Sequence, residues 1–127
     1  MLIVGMVDKC TTIDDAKGLV KRFCDERDWD QFHNPKDLAI GISTEASELL
    51  DLFRFKSLEQ CSQLLSDDKG RERIEDEIAD VFYFVLRFAQ MNGIDLSDAL
   101  RRKVQKNSER YPVEKSKGFN LKYDEFE

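Results

Sequence analysis

The sequence predicts an all-α protein built as a four-helix bundle, and three observations carry that expectation. Helix-start and helix-stop residues punctuate the chain, two long segments repeat apolar residues at the 3/4 spacing of a buried helix face, and no segment reads as a convincing strand. Thr12-x-x-Asp15 has the form of a capping box and opens a first helix to about Asp28. Asn34-Pro35 supplies an N-cap followed by proline at the first helical position, starting a helix to about Phe55. Ser57 caps a short helix through Leu65, and Asp67 or Asp68 opens a long helix that stops near Asn92-Gly93. Asp95 or Ser97 caps the last main helix, which Pro112 forbids from continuing. From Val113 the composition turns to Lys, Ser and Gly, the pattern of a tail that is mobile or docked on a partner.

A chain of 127 residues with 41% hydrophobic content and nine Phe supports one core, hence a single domain over 1–127 with its core at about 12–111 and residues 112–127 as a tail or arm. The net charge of −6 argues against binding to duplex nucleic acid or an anionic membrane surface. Cys10, Cys24 and Cys61 form no C-x-x-C pair, and the odd count disfavours a disulfide framework, so they read as mostly packed thiols of a cytoplasmic protein. The opening run Met1–Val7 is apolar but lacks a basic leader and is too short to span a bilayer.

Two acidic pairs interrupt the apolar stripes. The first stripe runs Leu38, Ile42, Glu45, Leu49, Leu52, and the second Ile74, Glu77, Val81, Phe84, Phe88. Glu45 and Glu77 thus stand where an inward Leu is expected, with Glu48 and Asp80 on the shoulder of the same faces. Carboxylates withdrawn from water do not stay ionised without a counter-charge. Four solvated acids are the bland alternative on a chain that is 36% charged, but two such pairs in two seams favour a metal site. If the second and third main helices pack antiparallel, the four carboxylates face each other. His33, the single histidine, lies outside the helices, so the Glu-x-x-His ligands of a di-iron bundle are missing. An all-oxygen set suits Mg²⁺ or Mn²⁺.

Lys103, Asn107 and Arg110 fall on one face of the last main helix, with Lys115 and Lys117 beyond. Cations beside a metal would clamp a polyphosphate. For Arg101, Arg102 and Lys106 a solvated basic face is the better reading, and for Lys103 and Asn107 periodicity leaves both open. Trp29, the single tryptophan, opens the unusual loop Trp29-Asp30-Gln31-Phe32-His33. Position alone makes Trp29 a lid on the core or a stacking surface for a base, and makes His33 a turn-fixing residue or a ligand donor.

Read in order, Trp-x-Gln-Phe-His-x-Pro-Lys, Glu45-Ala-Ser-Glu48-Leu-Leu, Glu77-Ile-Ala-Asp80-Val and Lys103-x-x-x-Asn107-x-x-Arg110-Tyr111-Pro112 resemble the MazG-like nucleotide pyrophosphohydrolases, nearest to the branch acting on dCTP. The resemblance covers about residues 12–118. It implies the all-α nucleoside triphosphate pyrophosphatase fold, Mg²⁺ dependence, and cleavage of a nucleoside triphosphate, dCTP or a modified pyrimidine deoxynucleotide, to monophosphate and pyrophosphate. It also implies a homotetramer or homodimer whose sites borrow residues from neighbouring subunits. Under it, Glu45, Glu48, Glu77 and Asp80 hold the metal; Trp29, Asp30, Gln31, Phe32, His33, Phe55 and Phe84 line the nucleoside pocket; Lys103 and Asn107 hold phosphates. Three positions depart from the family pattern: Thr44 replaces the first of two adjacent acids, Phe53-Arg54-Phe55 replaces Phe-Gln-Trp, and Phe84 replaces a tyrosine. The last two bear on base preference and leave the metal chemistry alone. The competing readings are a related dUTP- or phosphoribosyl-ATP-type pyrophosphatase, and a helical oligomer whose carboxylates bind metal for structural purposes.

Overall fold

The computed structural model describes residues 5–126; Met1 to Val4, the start of the apolar opening run, and Glu127 at the end of the tail lie outside them. Every main helix starts at a side-chain cap. Thr12 and Asp15 each accept from the other's backbone N–H at 3.0 Å, opening α1 (Ile13–Asp25) as the capping box predicts. Asn34 caps α2 (Pro35–Asp51), Ser57 and Gln60 form a second capping box at α3 (Leu58–Ser66), Asp67 caps α4 (Asp68–Met91), and Asp95 caps α5 (Leu96–Arg110). A short α6 spans Val113–Ser116, and no strand occurs among the described residues.

Two predicted ends lie further along the chain than the helices run. Helix α1 stops at Asp25 rather than Asp28 because Asp28 takes a left-handed φ of 55°. The Trp29 N–H then reaches the Cys24 carbonyl and the Asp28 N–H the Asp25 carbonyl, the two bonds of a Schellman ending. Helix α2 stops at Asp51 rather than Phe55. Its exit tightens into three-residue bonds (Leu52 to Leu49, Phe53 to Leu50), and Phe55 turns the chain outward at φ 64°. The α4 stop at Gly93, φ 64°, falls where Asn92-Gly93 predicts it.

The chain forms two compact units, Met1–Gly93 and Ile94–Glu127. In the first, α4 is the central rod, about 36 Å long at 1.5 Å per residue over 24 residues, and α1, α2 and α3 all pack against it. Gly41 faces Phe84 while Glu45 faces Glu77, so α2 and α4 run antiparallel as expected. A Cβ on Gly41 would stand 2.6 Å from the Phe84 ring, so glycine is what lets that ring lie on the α2 backbone. The core is filled by Ala16, Val20 and Cys24 from one face of α1, by Leu38 of α2 and Leu52 just past its end, and by Ile74, Leu86 and Ala89 of α4. Burying a side chain such as Leu38 contributes about 2 kcal/mol. Both predicted stripes point inward: Leu38, Leu52 and Ile74 are buried, and Ile42, Leu49, Val81, Phe84 and Phe88 half-buried.

In the second unit the predicted tail is ordered by its own contacts. Tyr111 meets Tyr123 and Phe126 edge-on at centroid distances of 6.1 and 5.8 Å, and the Arg110 guanidinium sits 5.0 Å over the Tyr123 ring. Among the described residues no helix is long and apolar enough to cross a membrane. The three cysteines are free; Cys24 is buried and Cys61 half-buried, but Cys10 is exposed rather than packed.

Candidate active site

Antiparallel packing of α2 on α4 brings three of the four predicted carboxylates together. Glu45, Glu48 and Glu77 each offer an oxygen, and the three lie within 4.8 Å of one another. One oxygen of Glu45 and one of Glu77 (Oε2 in both) are buried with no hydrogen-bond partner. Buried carboxylate oxygens are rarely left so. Glu48 is exposed and closes the cluster from the solvent side. A shared hydrogen bond with Glu48, then burial, then the charges of Glu48, Asp80 and Glu77 push the Glu45 carboxyl up to about 7. Glu77 is also raised, by burial first and by Glu48 second. Such a cluster holds either protons or a cation, and the all-oxygen donor set with two orphaned oxygens fits a hard dication.

Asp80 stands outside the tight trio. Its charge acts on both Glu45 and Glu77, and its side chain lines a cleft of about 440 Å³. The other walls of that cleft are almost wholly apolar: Leu19, Val20 and Phe23 from α1, Trp29 from the loop, and Tyr83 and Phe84 from α4. Trp29 packs edge-on to Phe23 at 5.5 Å, and Tyr83 edge-on to Phe84 at 5.1 Å. Asp80 is therefore the residue at which an acidic cluster meets an aromatic slot.

The remaining predicted residues divide sharply. Trp29 and Phe84 are in the cleft. Asp30 and His33 sit in and after the turn Asp30–Phe32 and are both held by Arg87. Gln31 turns back to brace the left-handed Asp28, its Nε2 donating to the Asp28 carbonyl at 3.0 Å. Phe32 is 59% exposed, and Phe55 is 92% exposed with Arg54 over its ring, so neither reaches the cleft of its own chain. Lys103 is exposed and Asn107 half-buried, on one face of α5 in the second unit. Arg101 and Arg102 lie on the exposed face the sequence suggests, and both bond Asp98 at 2.8 Å.

Two residues of the site were not singled out in the sequence. Tyr83 shares a 3.1 Å hydrogen bond with the buried Cys24 thiol, and burial together with that bond pushes its phenol far up. Arg87 is 1% exposed. It donates from Nε to His33 Nδ1 at 2.8 Å and from Nη1 to Gln90 Oε1 at 2.7 Å, and Nη2 pairs with Asp30. Gln90 in turn donates to the Lys17 carbonyl at 2.9 Å. The available signal was a lone arginine inside the apolar run Val81 to Ala89, since a cation there needs acceptors supplied from elsewhere.

The sequence model of the MazG-like family matches residues 40–126, a stretch holding all four carboxylates, Phe55, Phe84, Lys103 and Asn107. The chain belongs to the MazG-like family. Within that family it resembles dCTP pyrophosphatase 1 of mouse, 35% identical over 112 residues, covering 88% of this chain and 66% of the mouse protein. It also resembles the human dCTP pyrophosphatase 1, 31% identical over 114 residues, covering 90% of this chain and 67% of the human one. The chain thus spans about two thirds of the length of these relatives. The crystal structure of a pyrophosphatase from Archaeoglobus fulgidus superposes with a TM-score of 0.74 at 32% identity, covering 84% of this chain and 98% of that one. The matched stretch begins within α2, so α1 and the turn holding Trp29 to His33 precede it.

Proposed function

We propose that this MazG-like chain is a divalent-cation-dependent nucleoside triphosphate pyrophosphohydrolase. Its substrate is dCTP or a modified pyrimidine deoxynucleotide, cleaved to monophosphate and pyrophosphate, and its role is to sanitise the nucleotide pool. The observation that carries the reading is the junction at Asp80, where the carboxylate cluster adjoins an aromatic slot. A nucleoside triphosphate has the complementary form, a flat base joined to an anionic chain that a cation can bridge to carboxylates. The dCTP pyrophosphatases among its relatives support the pyrimidine assignment.

In this reading Glu45, Glu48, Glu77 and Asp80 hold Mg²⁺ or Mn²⁺. The bound ion supplies charge neutralisation for the triphosphate and polarisation of the α-phosphorus. Trp29 and Phe84 sandwich the base, while the apolar walls exclude water from it. With the ion bound both carboxylates would be ionised, and Glu45 or Glu48 would accept the proton of the attacking water as pyrophosphate leaves in line. Lys103 and Asn107 hold the leaving phosphates.

The enzyme is one domain over 1–127 and works in the cytoplasm, consistent with three free cysteines, as a homotetramer or homodimer. Ile40, Leu50, Phe55 and Leu58, which are 54%, 65%, 92% and 88% exposed, support an oligomer because water-facing apolar side chains in such number ask for a cover. Phe55 then completes a neighbouring subunit's slot rather than its own.

Pyrophosphate release from a panel of canonical and 5-modified nucleotides, with Mg²⁺ and with EDTA, tests this. Mg²⁺-dependent release favouring pyrimidine deoxynucleotides is expected. Absence of release under every nucleotide and Mg²⁺ condition would overturn the reading.

A further inference from the structure

We propose that Arg87 is a positioning residue that holds Trp29 as a wall of the nucleotide cleft, through Asp30 and His33, and thereby sets how tightly the base is held. Trp29 follows the left-handed Asp28 that ends α1, so the ending of α1 alone leaves its ring orientation open. Its neighbours on the far side are Asp30 and His33, in a 3₁₀ turn closed by the Phe32 N–H to the Trp29 carbonyl at 2.9 Å and the His33 N–H to the Asp30 carbonyl at 3.2 Å, bonds that fix the backbone and not the Trp29 ring. Arg87 clamps both ends of that turn from beneath, pairing with Asp30 and donating to His33 Nδ1. The His33 ring then stands edge-on to Trp29 at 6.1 Å, with Phe23 packed on Trp29 at 5.5 Å. The third arm of Arg87, through Gln90 to the Lys17 carbonyl, ties the clamp to α1, whose Leu19, Val20 and Phe23 also line the cleft.

One guanidinium thus links the Trp29 turn and α1 to α4, its planar array of donors meeting three acceptors in fixed directions. The same bond fixes His33 chemically. A nitrogen that accepts from Arg87 carries no proton, so the imidazole is neutral with its hydrogen on Nε2. Burial and the Arg87 charge hold His33 below the ordinary histidine range, in keeping with that state.

The role in base binding rests on the nucleotide-hydrolase reading, whereas the clamp itself is testable without nucleotide. The single histidine and single tryptophan make both probes unambiguous. In the full-length wild type near pH 7.5, imidazole ¹H–¹⁵N spectra should report the Nε2–H form alone, with Trp29 emission that of a half-buried indole. Arg87→Met removes the buried charge and leaves Asp30, which is 57% exposed in its side chain, free to hydrate, so folding is expected to survive. It should mix the imidazole tautomers, shift Trp29 emission to the red, and raise KM for dCTP about tenfold while kcat falls less than threefold. Arg87→Lys should keep the Asp30 pair, lose the His33 bond and land between. Asp30→Ala, made at the exposed end of the clamp, should move KM in the same direction by about threefold, and it decides the matter if Arg87→Met fails to fold. Unchanged imidazole and indole spectra in a folded Arg87→Met protein would overturn the proposal, as would a loss in kcat with KM held. A wild type that releases no pyrophosphate would defeat the functional reading, and the nucleotide-free spectra would then decide the clamp alone.

Discussion

Helix α4 places two charged side chains, Glu77 and Arg87, on its packed side, and the protein treats them in opposite ways. At Glu77 the surroundings add like charge: Glu45, Glu48 and Asp80 converge on it, and two carboxylate oxygens have no partner. At Arg87, ten residues on, every arm of the side chain meets an acceptor inside the chain. A buried charge satisfied internally serves the fold, and one left unsatisfied is an address for something from outside. On the proposed reading the acidic cluster is the place where chemistry happens and the arginine is its support.

The largest expected effect breaks the open half of the comparison. Glu45→Gln or Glu77→Gln should lower pyrophosphate release from dCTP by about 100-fold or more, because an uncharged amide holds a dication poorly. Steady-state assays on both variants at saturating Mg²⁺ check this, and retained turnover in both would remove the cluster from the mechanism.

Stability should move in opposite directions at the two places. Arg87→Ala loses hydrogen bonds, an ion pair and packing volume, for a destabilisation of roughly 2–4 kcal/mol. Glu45→Gln relieves repulsion and should raise the metal-free Tm at pH 8, by roughly 3–6 °C. Chemical and thermal unfolding of the two variants under one condition provide the test, and a shared sign would erase the distinction.

A smaller effect probes the seam between α2 and α4. Gly41→Ala sets a methyl 2.6 Å from the Phe84 ring and should destabilise by about 1–3 kcal/mol while weakening nucleotide binding. Unfolding paired with a dCTP titration would show both, and Phe84→Leu in the same background should recover the stability but not the binding.

The smallest effect is in pH dependence. The Glu45 carboxyl lies at about 7 in the folded protein, above its ordinary value of 4.5. Between those values the native state binds more protons than the unfolded chain, so its contribution to stability is full below 4.5 and is lost as pH rises through 7. The Tm of metal-free wild type relative to Glu45→Gln should therefore fall across that window and level off above it. Millimolar Mg²⁺ should flatten the difference, since a bound cation takes the place of the proton.

What the sequence determined by itself is what local physics determines. Helix starts follow from Thr12, Asn34, Ser57, Asp67 and Asp95, whose side chains bond backbone N–H groups three residues on. The inward placement of Glu45 and Glu77 follows from the helical period, and the meeting of the two stripes from the antiparallel packing of α2 and α4 that the short connections suggest. Even the overlong estimates for α1 and α2 erred only where a non-glycine residue, Asp28 or Phe55, adopts a left-handed turn that composition does not announce. The tertiary structure alone decided the rest. Arg87 finds His33 and Asp30 across 54 and 57 positions, Cys24 finds Tyr83 across 59, and Asp80 comes to border both cluster and slot. No periodicity encodes those meetings, because a side chain's partners across such separations are set by how whole helices pack and not by the residues beside it in the chain.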